Sequence, residues 1–167
     1  MKLELQLAAN FLVHQIRLGR LRLSNAAIGE QQLEKFKDAV VEVLRRKYRD
    51  HWFPEKPIKG NGYRCIRING KLDPLIAQAA ETSGLAPNLI HHTLPSELTM
   101  WIDPLEVSYR IGENGSICVL YEYKPVKKEG SDALQSEAWK PNSSNSTSSS
   151  TSAVANNVSG TYININQ

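Results

Sequence analysis

The sequence lacks most of the features that would place it in a large, easily recognised class. Its only two cysteines, Cys65 and Cys118, form no CxxC pair of the kind that structural zinc sites use. This spacing neither requires nor excludes a disulfide. No apolar run approaches the ~20 residues of a membrane span, and the polar N-terminus is unlike a signal peptide. We therefore expect a reducing, intracellular location.

The net charge is small, and the common catalytic sequence motifs are absent. The net charge is +3 with the four histidines neutral, too small an excess to indicate a nucleic-acid or membrane-surface protein. GxSxG, P-loop and GxGxxG motifs are absent. His91 and His92 are adjacent, so their side chains diverge, and no third metal ligand is evident. We expect neither an enzyme nor a metal or cofactor site.

Apolar periodicity predicts two long helices in the first 50 residues. Residues 2–20 carry apolar side chains at spacings of three and four, although Gly19 weakens the end. Residues 30–49 have one apolar stripe and a charged opposite side. Further on, Asp73-Pro74 predicts a helix start and Gly84 its end. A short fourth helix is predicted over 87–92.

Alternation predicts strands over 63–69, 100–102, 107–111 and 117–123. Glu113-Asn114-Gly115 is predicted to form the hairpin turn between the last two, because Asn-Gly is a strong hairpin signal. Asp103-Pro104 also suits a turn. We therefore predict an α+β fold, with helices packed on a small, mainly antiparallel sheet.

The C-terminal part has a different composition. Residues 142–152 are all Ser, Thr or Asn and lack the apolar side chains for a core. We predict a folded domain over 1–126 and a disordered Ser/Asn-rich tail over 127–167.

One predicted strand has an unusual pair of side chains. Trp101 and Asp103 are two residues apart, so both point to the same face of an extended segment. A tryptophan beside a carboxylate suits a docking surface, but from the residues alone a core Trp101 and a turn-forming Asp103 are equally good readings. Tyr63, Arg64 and Arg67 also offer an RNA-binding reading, although the aromatic and basic pattern of an RNA-recognition domain is missing.

Three segments together carry a resemblance to a known family. They are WFPEKP (52–57), GYRCIRIN (62–69) and LPSELTMWIDPLEVSYRIGE (94–113). The chain closely resembles the BTG/Tob antiproliferative family from about residue 2 to residue 123, and these segments match its two signature boxes.

The resemblance implies a non-enzymatic adaptor. Such proteins bind the Caf-type subunit of the Ccr–Not deadenylase complex and promote mRNA deadenylation, mRNA decay and reduced proliferation. Carried over by motif, Tyr63, Trp101 and Asp103 would be the main contacts, with Glu113 in a second tier. Asp73 is a weaker candidate, since capping already explains it.

A further segment resembles the BTG branch of the family, in which it helps bind the first RNA-recognition domain of cytoplasmic poly(A)-binding protein. The residues concerned here are Ile117, Val119, Leu120, Tyr121 and Glu122. The family also includes transcriptional co-regulators that contact transcription factors, and this remains the alternative function. We expect the protein in both cytoplasm and nucleus, with no direct contact to nucleic acid or membrane.

Overall fold

The computed structural model describes residues 1–23 and 28–124, which form helices on one side of a sheet. The α-helices are α1 (Lys2–Arg22), α2 (Glu30–Tyr48), α3 (Pro74–Thr82) and α4 (Pro87–Thr93). The strands are β1 (Cys65–Asn69), β2 (Glu97–Asp103), β3 (Glu106–Ile111) and β4 (Cys118–Glu122). The predicted tail, 127–167, and the last two residues of the predicted domain lie outside the described residues.

The helices form where the apolar periodicity predicts them. In α2 the buried stripe includes Leu33, Phe36, Val40 and Leu44, and charged side chains cover the other side. Helix α1 continues through Gly19 to Arg22. Gly19 lies against α4, and a Cβ at this position would stand 1.8 Å from the carbonyl oxygen of Thr93. The glycine therefore permits a close helix contact and does not end the helix.

Helix α3 begins as the sequence predicts. Asp73 is its N-cap, and Oδ1 of Asp73 accepts a hydrogen bond from the Leu75 N–H at 2.9 Å. Oδ2 accepts a second bond from the N–H of Arg67 at 3.0 Å. Both oxygens of Asp73 thus accept hydrogen bonds within the fold.

The sheet has the order β1-β2-β3-β4, and every neighbouring pair is antiparallel. This confirms the α+β class with an antiparallel sheet. Side chains in β2 alternate between buried and half-buried. One face, with Ile66, Ile68, Leu98, Met100 and Ile102, belongs to the hydrophobic core with the helices. We call the opposite face, which carries Trp101, the outer face.

Two turns connect the last three strands. Asp103 pairs with Glu106 across the first, with Pro104 and Leu105 between them, so the predicted Asp-Pro turn is confirmed. In the second, Gly115 N–H donates to the Gly112 carbonyl at 3.2 Å. Its central residues are therefore Glu113 and Asn114, both within the predicted turn Glu113-Asn114-Gly115. A Cβ on Gly115 would come within 2.0 Å of the Ile111 oxygen, so close approach explains this glycine.

Candidate functional site

Trp101 and Asp103 lie together on the outer face, as their spacing predicts. Trp101 is half-buried, and its neighbours across the two adjacent strands are the small residues Cys65 and Ser108. Burial raises the pKa of the Cys65 thiol, and both cysteines are free. The indole is therefore a large, partly accessible apolar group among small side chains, as a protein contact requires.

Tyr63 corrects one prediction. It lies in a 3₁₀ turn, Asn61–Tyr63, and not in a strand, because β1 begins only at Cys65. The Arg64 N–H donates to the Asn61 carbonyl at 2.9 Å, which keeps the chain turned. The side chain of Tyr63 is 59% exposed, and its ring stacks on His51 at 4.2 Å and 9°. Tyr63 is thus an exposed residue whose ring packs on His51. It lies just before β1, the strand that pairs with β2 beside Trp101.

Asp103 forms an ion pair within its own chain. Its Oδ1 accepts hydrogen bonds from Nε of Arg64 at 2.9 Å and from Nη2 at 2.5 Å. The Arg64 side chain is fully buried, whereas that of Asp103 is 25% exposed. Among the described residues no hydrogen bond reaches Oδ2. One oxygen therefore neutralises a buried cation, and the other remains for a partner.

Arg64 also holds the loop that precedes Tyr63. Its Nη1 donates to the carbonyls of His51 and Lys59, and its Nη2 donates to that of Pro57. We call Arg64, Asp103 and these three carbonyls the Arg64 cluster. A guanidinium has five N–H groups, and the five hydrogen bonds of the cluster use all of them.

Glu113 lies at the other end of the outer face. Its N–H donates to Oε2 of Glu97 at 2.9 Å, and its own carboxylate lies 3.7 Å from Arg67. Glu97 is four residues before Trp101 along β2, about 13 Å at the rise of a strand. The structure therefore groups Tyr63, Trp101 and Asp103 at one end and leaves Glu113 apart from them.

The segment that resembles a poly(A)-binding-protein contact lies in and just before β4. Ile117 and Val119 are 61% and 51% exposed, and Glu122 is also exposed. Leu120 and Tyr121 are half-buried and pack against the hydrophobic core. Ile117, Val119 and Glu122 are therefore the most accessible residues of the predicted set.

No group of three or more His, Cys, Asp or Glu residues suited to a metal ion occurs in the described ranges. Nor does any helix in them have the length and apolarity to cross a membrane. A depression of about 350 Å³ lies between exposed and half-buried side chains of α1 and α2. None of the candidate contact residues lines it.

Sequence reasoning missed two residues of this region. Arg64 shares a strand face with Ile66 and Ile68, and this was a signal for burial, since both isoleucines are core residues. Its partner Asp103 is 39 positions away, and no local pattern connects the two. The second is His51, which is half-buried and stacks on the Tyr63 ring.

Sequence comparison finds similar proteins among the BTG and Tob proteins. Human BTG2 is 56% identical over 109 residues, which cover 65% of this chain and 69% of BTG2. Human BTG1 is 62% identical over 97 residues, covering 58% of this chain and 57% of BTG1. Human Tob1 is 46% identical over 123 residues, covering 72% of this chain and 33% of Tob1.

A solved structure and a family model give the same result. The BTG/Tob domain of C. elegans FOG-3 superposes with a TM-score of 0.59 over 81% of this chain and 92% of that domain, and at 21% identity it supports the fold. The model of the BTG family matches residues 1–121. The chain therefore belongs to the BTG family.

Proposed function

We propose that this chain is a non-enzymatic antiproliferative adaptor. It binds the Caf-type subunit of the Ccr–Not deadenylase complex, in the cytoplasm and in the nucleus, and promotes mRNA deadenylation and decay. The observation that carries the proposal is the half-buried Trp101 on the outer face, with the exposed Tyr63 at the same end. Family membership supports it, because Tyr63, Trp101 and Asp103 all lie in the segments that resemble the family's boxes.

We propose a separate role in docking for each residue. Trp101 supplies apolar area that a partner would desolvate, and buried aromatic side chains are frequent hot spots. Tyr63 presents a ring held by the His51 stack. Asp103 directs Oδ2 to donors of the partner, while Arg64 occupies Oδ1.

Calorimetry with a purified Caf-type subunit tests the proposal. We expect the wild-type chain to bind, and Trp101→Ala and Tyr63→Ala each to lose about 2 kcal/mol or more, as hot spots do. Asp103→Asn is the appropriate third variant, because its amide oxygen still accepts from Arg64 while the charge is lost. Leu21→Ala is the matched control, since Leu21 is an exposed apolar residue on α1, away from the outer face.

A well-folded wild-type chain that does not bind the subunit would refute the proposal. Binding that the Leu21→Ala control weakens as strongly as Trp101→Ala does would refute the assigned surface.

We propose a second contact, to the first RNA-recognition domain of cytoplasmic poly(A)-binding protein, through Ile117 and Val119. The exposure of both side chains beside strand β4 supports it. Ile117→Ser with Val119→Ser should abolish binding of that domain and preserve binding of the Caf-type subunit. Loss of both interactions, or of neither, would contradict a separate surface.

A further inference from the structure

We propose that Arg64 is a positioning residue for the deadenylase-docking surface, and this inference rests on the proposed function. Its guanidinium lies between the two parts of that surface. On one side it holds the carbonyls of His51, Pro57 and Lys59, in the loop that leads to Tyr63. On the other side it holds Asp103, two residues after Trp101.

The connection to Tyr63 has two steps. The Arg64 guanidinium donates to the main-chain oxygen of His51, and the His51 ring stacks on the Tyr63 ring. The main chain of Arg64 adds a direct link to β2, because its carbonyl accepts from the Ile102 N–H at 3.1 Å. One residue thus fixes the position of Tyr63 relative to the strand that carries Trp101.

Stability alone does not explain the Arg64 cluster. Burying an ion pair costs several kcal/mol per ion, and apolar residues of similar volume often stabilise a fold as well or better. Three of the five hydrogen bonds go to carbonyls, which bind the guanidinium without neutralising its charge. Only the fork geometry of arginine satisfies acceptors in several fixed directions. Fixed geometry is therefore what this arrangement provides.

The loop itself is shaped around the guanidinium. Residues 52–60 contain no helix or strand, and successive turns connect them, such as Lys59 N–H to the Lys56 carbonyl at 2.9 Å. Gly60 has a φ of +78°, and a Cβ there would lie 3.3 Å from Nη1 of Arg64 and 3.3 Å from the His51 oxygen. Without the guanidinium, the inward-facing carbonyls would lose their donor.

Arg64→Lys in the full chain tests the inference. Lysine keeps the positive charge but offers three N–H groups on a single nitrogen, so it cannot reach all the carbonyls and Asp103 together. The matched control is Arg46→Lys, the same exchange at an exposed ion pair with Glu42 on α2. Two readouts are measured: amide hydrogen exchange, and calorimetric binding to the purified Caf-type subunit.

In Arg64→Lys we expect amide exchange at Lys59, Asn61 and Tyr63 to accelerate about tenfold or more, because these amides report local opening of the loop. Exchange at the α2 core residues Phe36 and Leu44 should stay at the wild-type rate. The Kd should rise about tenfold or more, equivalent to 1.4 kcal/mol of binding free energy. Arg46→Lys should change neither readout.

An unchanged Kd in folded Arg64→Lys overturns the inference, and so does unchanged loop exchange. If Arg64→Lys does not fold, Gly60→Ala replaces it, because the new Cβ displaces the loop from Nη1 while the ion pair with Asp103 remains. Gly60→Ala should also weaken binding, and an unchanged Kd would overturn the inference. Failure of the wild type to bind defeats the proposed function itself, and the positioning role falls with it.

Discussion

Asp103 is a residue where the fold and the proposed docking surface overlap. Asp103→Ala leaves the fully buried Arg64 cation without a counter-ion. We expect this to lower the free energy of unfolding by about 3–5 kcal/mol, as removal of one partner of a buried pair does. Urea unfolding measures it.

Glu113→Ala is the control for Asp103→Ala. Its ion pair with Arg67 has both side chains 61% exposed, so we expect a loss of about 0–1 kcal/mol. Equal losses in the two variants would contradict the distinction between a buried and an exposed pair. Asp103→Asn, and not Asp103→Ala, belongs in the binding experiment because its amide oxygen can still accept the hydrogen bonds of Arg64.

Tyr48 offers the opposite case, a buried polar group whose removal should be harmless. The residue is fully buried, and its hydroxyl has no hydrogen-bond partner among the described residues. Burial raises the pKa of this hydroxyl well above its ordinary value. We expect Tyr48→Phe to keep or increase the free energy of unfolding, by up to about 1 kcal/mol. A clear loss of stability in urea unfolding would show that the hydroxyl is bonded.

At the scale of elements, the contact between α1 and α4 depends on Gly19. A methyl group there would overlap the main chain of Thr93, and main chain cannot rotate away as a flexible side chain can. We expect Gly19→Ala to destabilise the protein by about 3 kcal/mol or more, despite the better helix propensity of alanine. Gly62→Ala, with no atom within 4 Å of its Cβ, should stay close to the wild type in thermal unfolding. A stable Gly19→Ala variant would contradict this account of the helix contact.

Helix α2 has a pH-dependent feature on its exposed face. Hydrogen bonds from Arg45 and Arg46 lower the pKa of Glu42 to about 2. A carboxylate with a lowered pKa stabilises the fold above its ordinary pKa, about 4.3, and this contribution disappears as the pH falls through about 2. The stability difference between wild type and Glu42→Gln should therefore be present at pH 6 and vanish near pH 2. A difference that grows on acidification would contradict the ion pairs.

Prediction from sequence succeeded for elements with a strong local pattern. The apolar stripe of α2, the Asp73-Pro74 start of α3 and the alternation through β2 each depend on residues close together in the chain. It failed at Tyr63, because the turn there is held by contacts of Arg64 that alternation does not reveal. The Asn-Gly signal located the hairpin turn over 113–115, and the hydrogen bond that closes this turn joins Gly112 and Gly115.

For the proposed docking surface, local spacing was sufficient to put Trp101 and Asp103 on one face but did not reveal the contacts of these residues. The alternation put both on one face, while the pairing of Asp103 with Arg64 joins positions 39 apart. Glu113 came from the same continuous motif as Trp101, yet the antiparallel course of β2 and β3 places it at the far end of the face. Contiguity in sequence is thus a weak guide to contiguity on a sheet.

At the scale of the whole molecule, the buried core residues of the described ranges run from Leu5 to Val107. We therefore expect a chain that ends at Lys124 to unfold in one cooperative transition with the same urea midpoint and slope as the full chain. A lower midpoint or a smaller slope in the shortened chain would show that later residues contribute to the folded unit.

The buried Arg64–Asp103 pair also has a consequence inside cells. A protein that loses several kcal/mol is unfolded more often and is removed faster by proteases, so its abundance falls. A cell carrying Asp103→Ala would lack the protein's effect mainly because little of the protein is present. Under the proposed function, a cell carrying Trp101→Ala would hold a normal amount of a chain that does not bind the Caf-type subunit. Growth phenotypes at these two positions would look alike and have different causes, and measured protein levels would tell them apart.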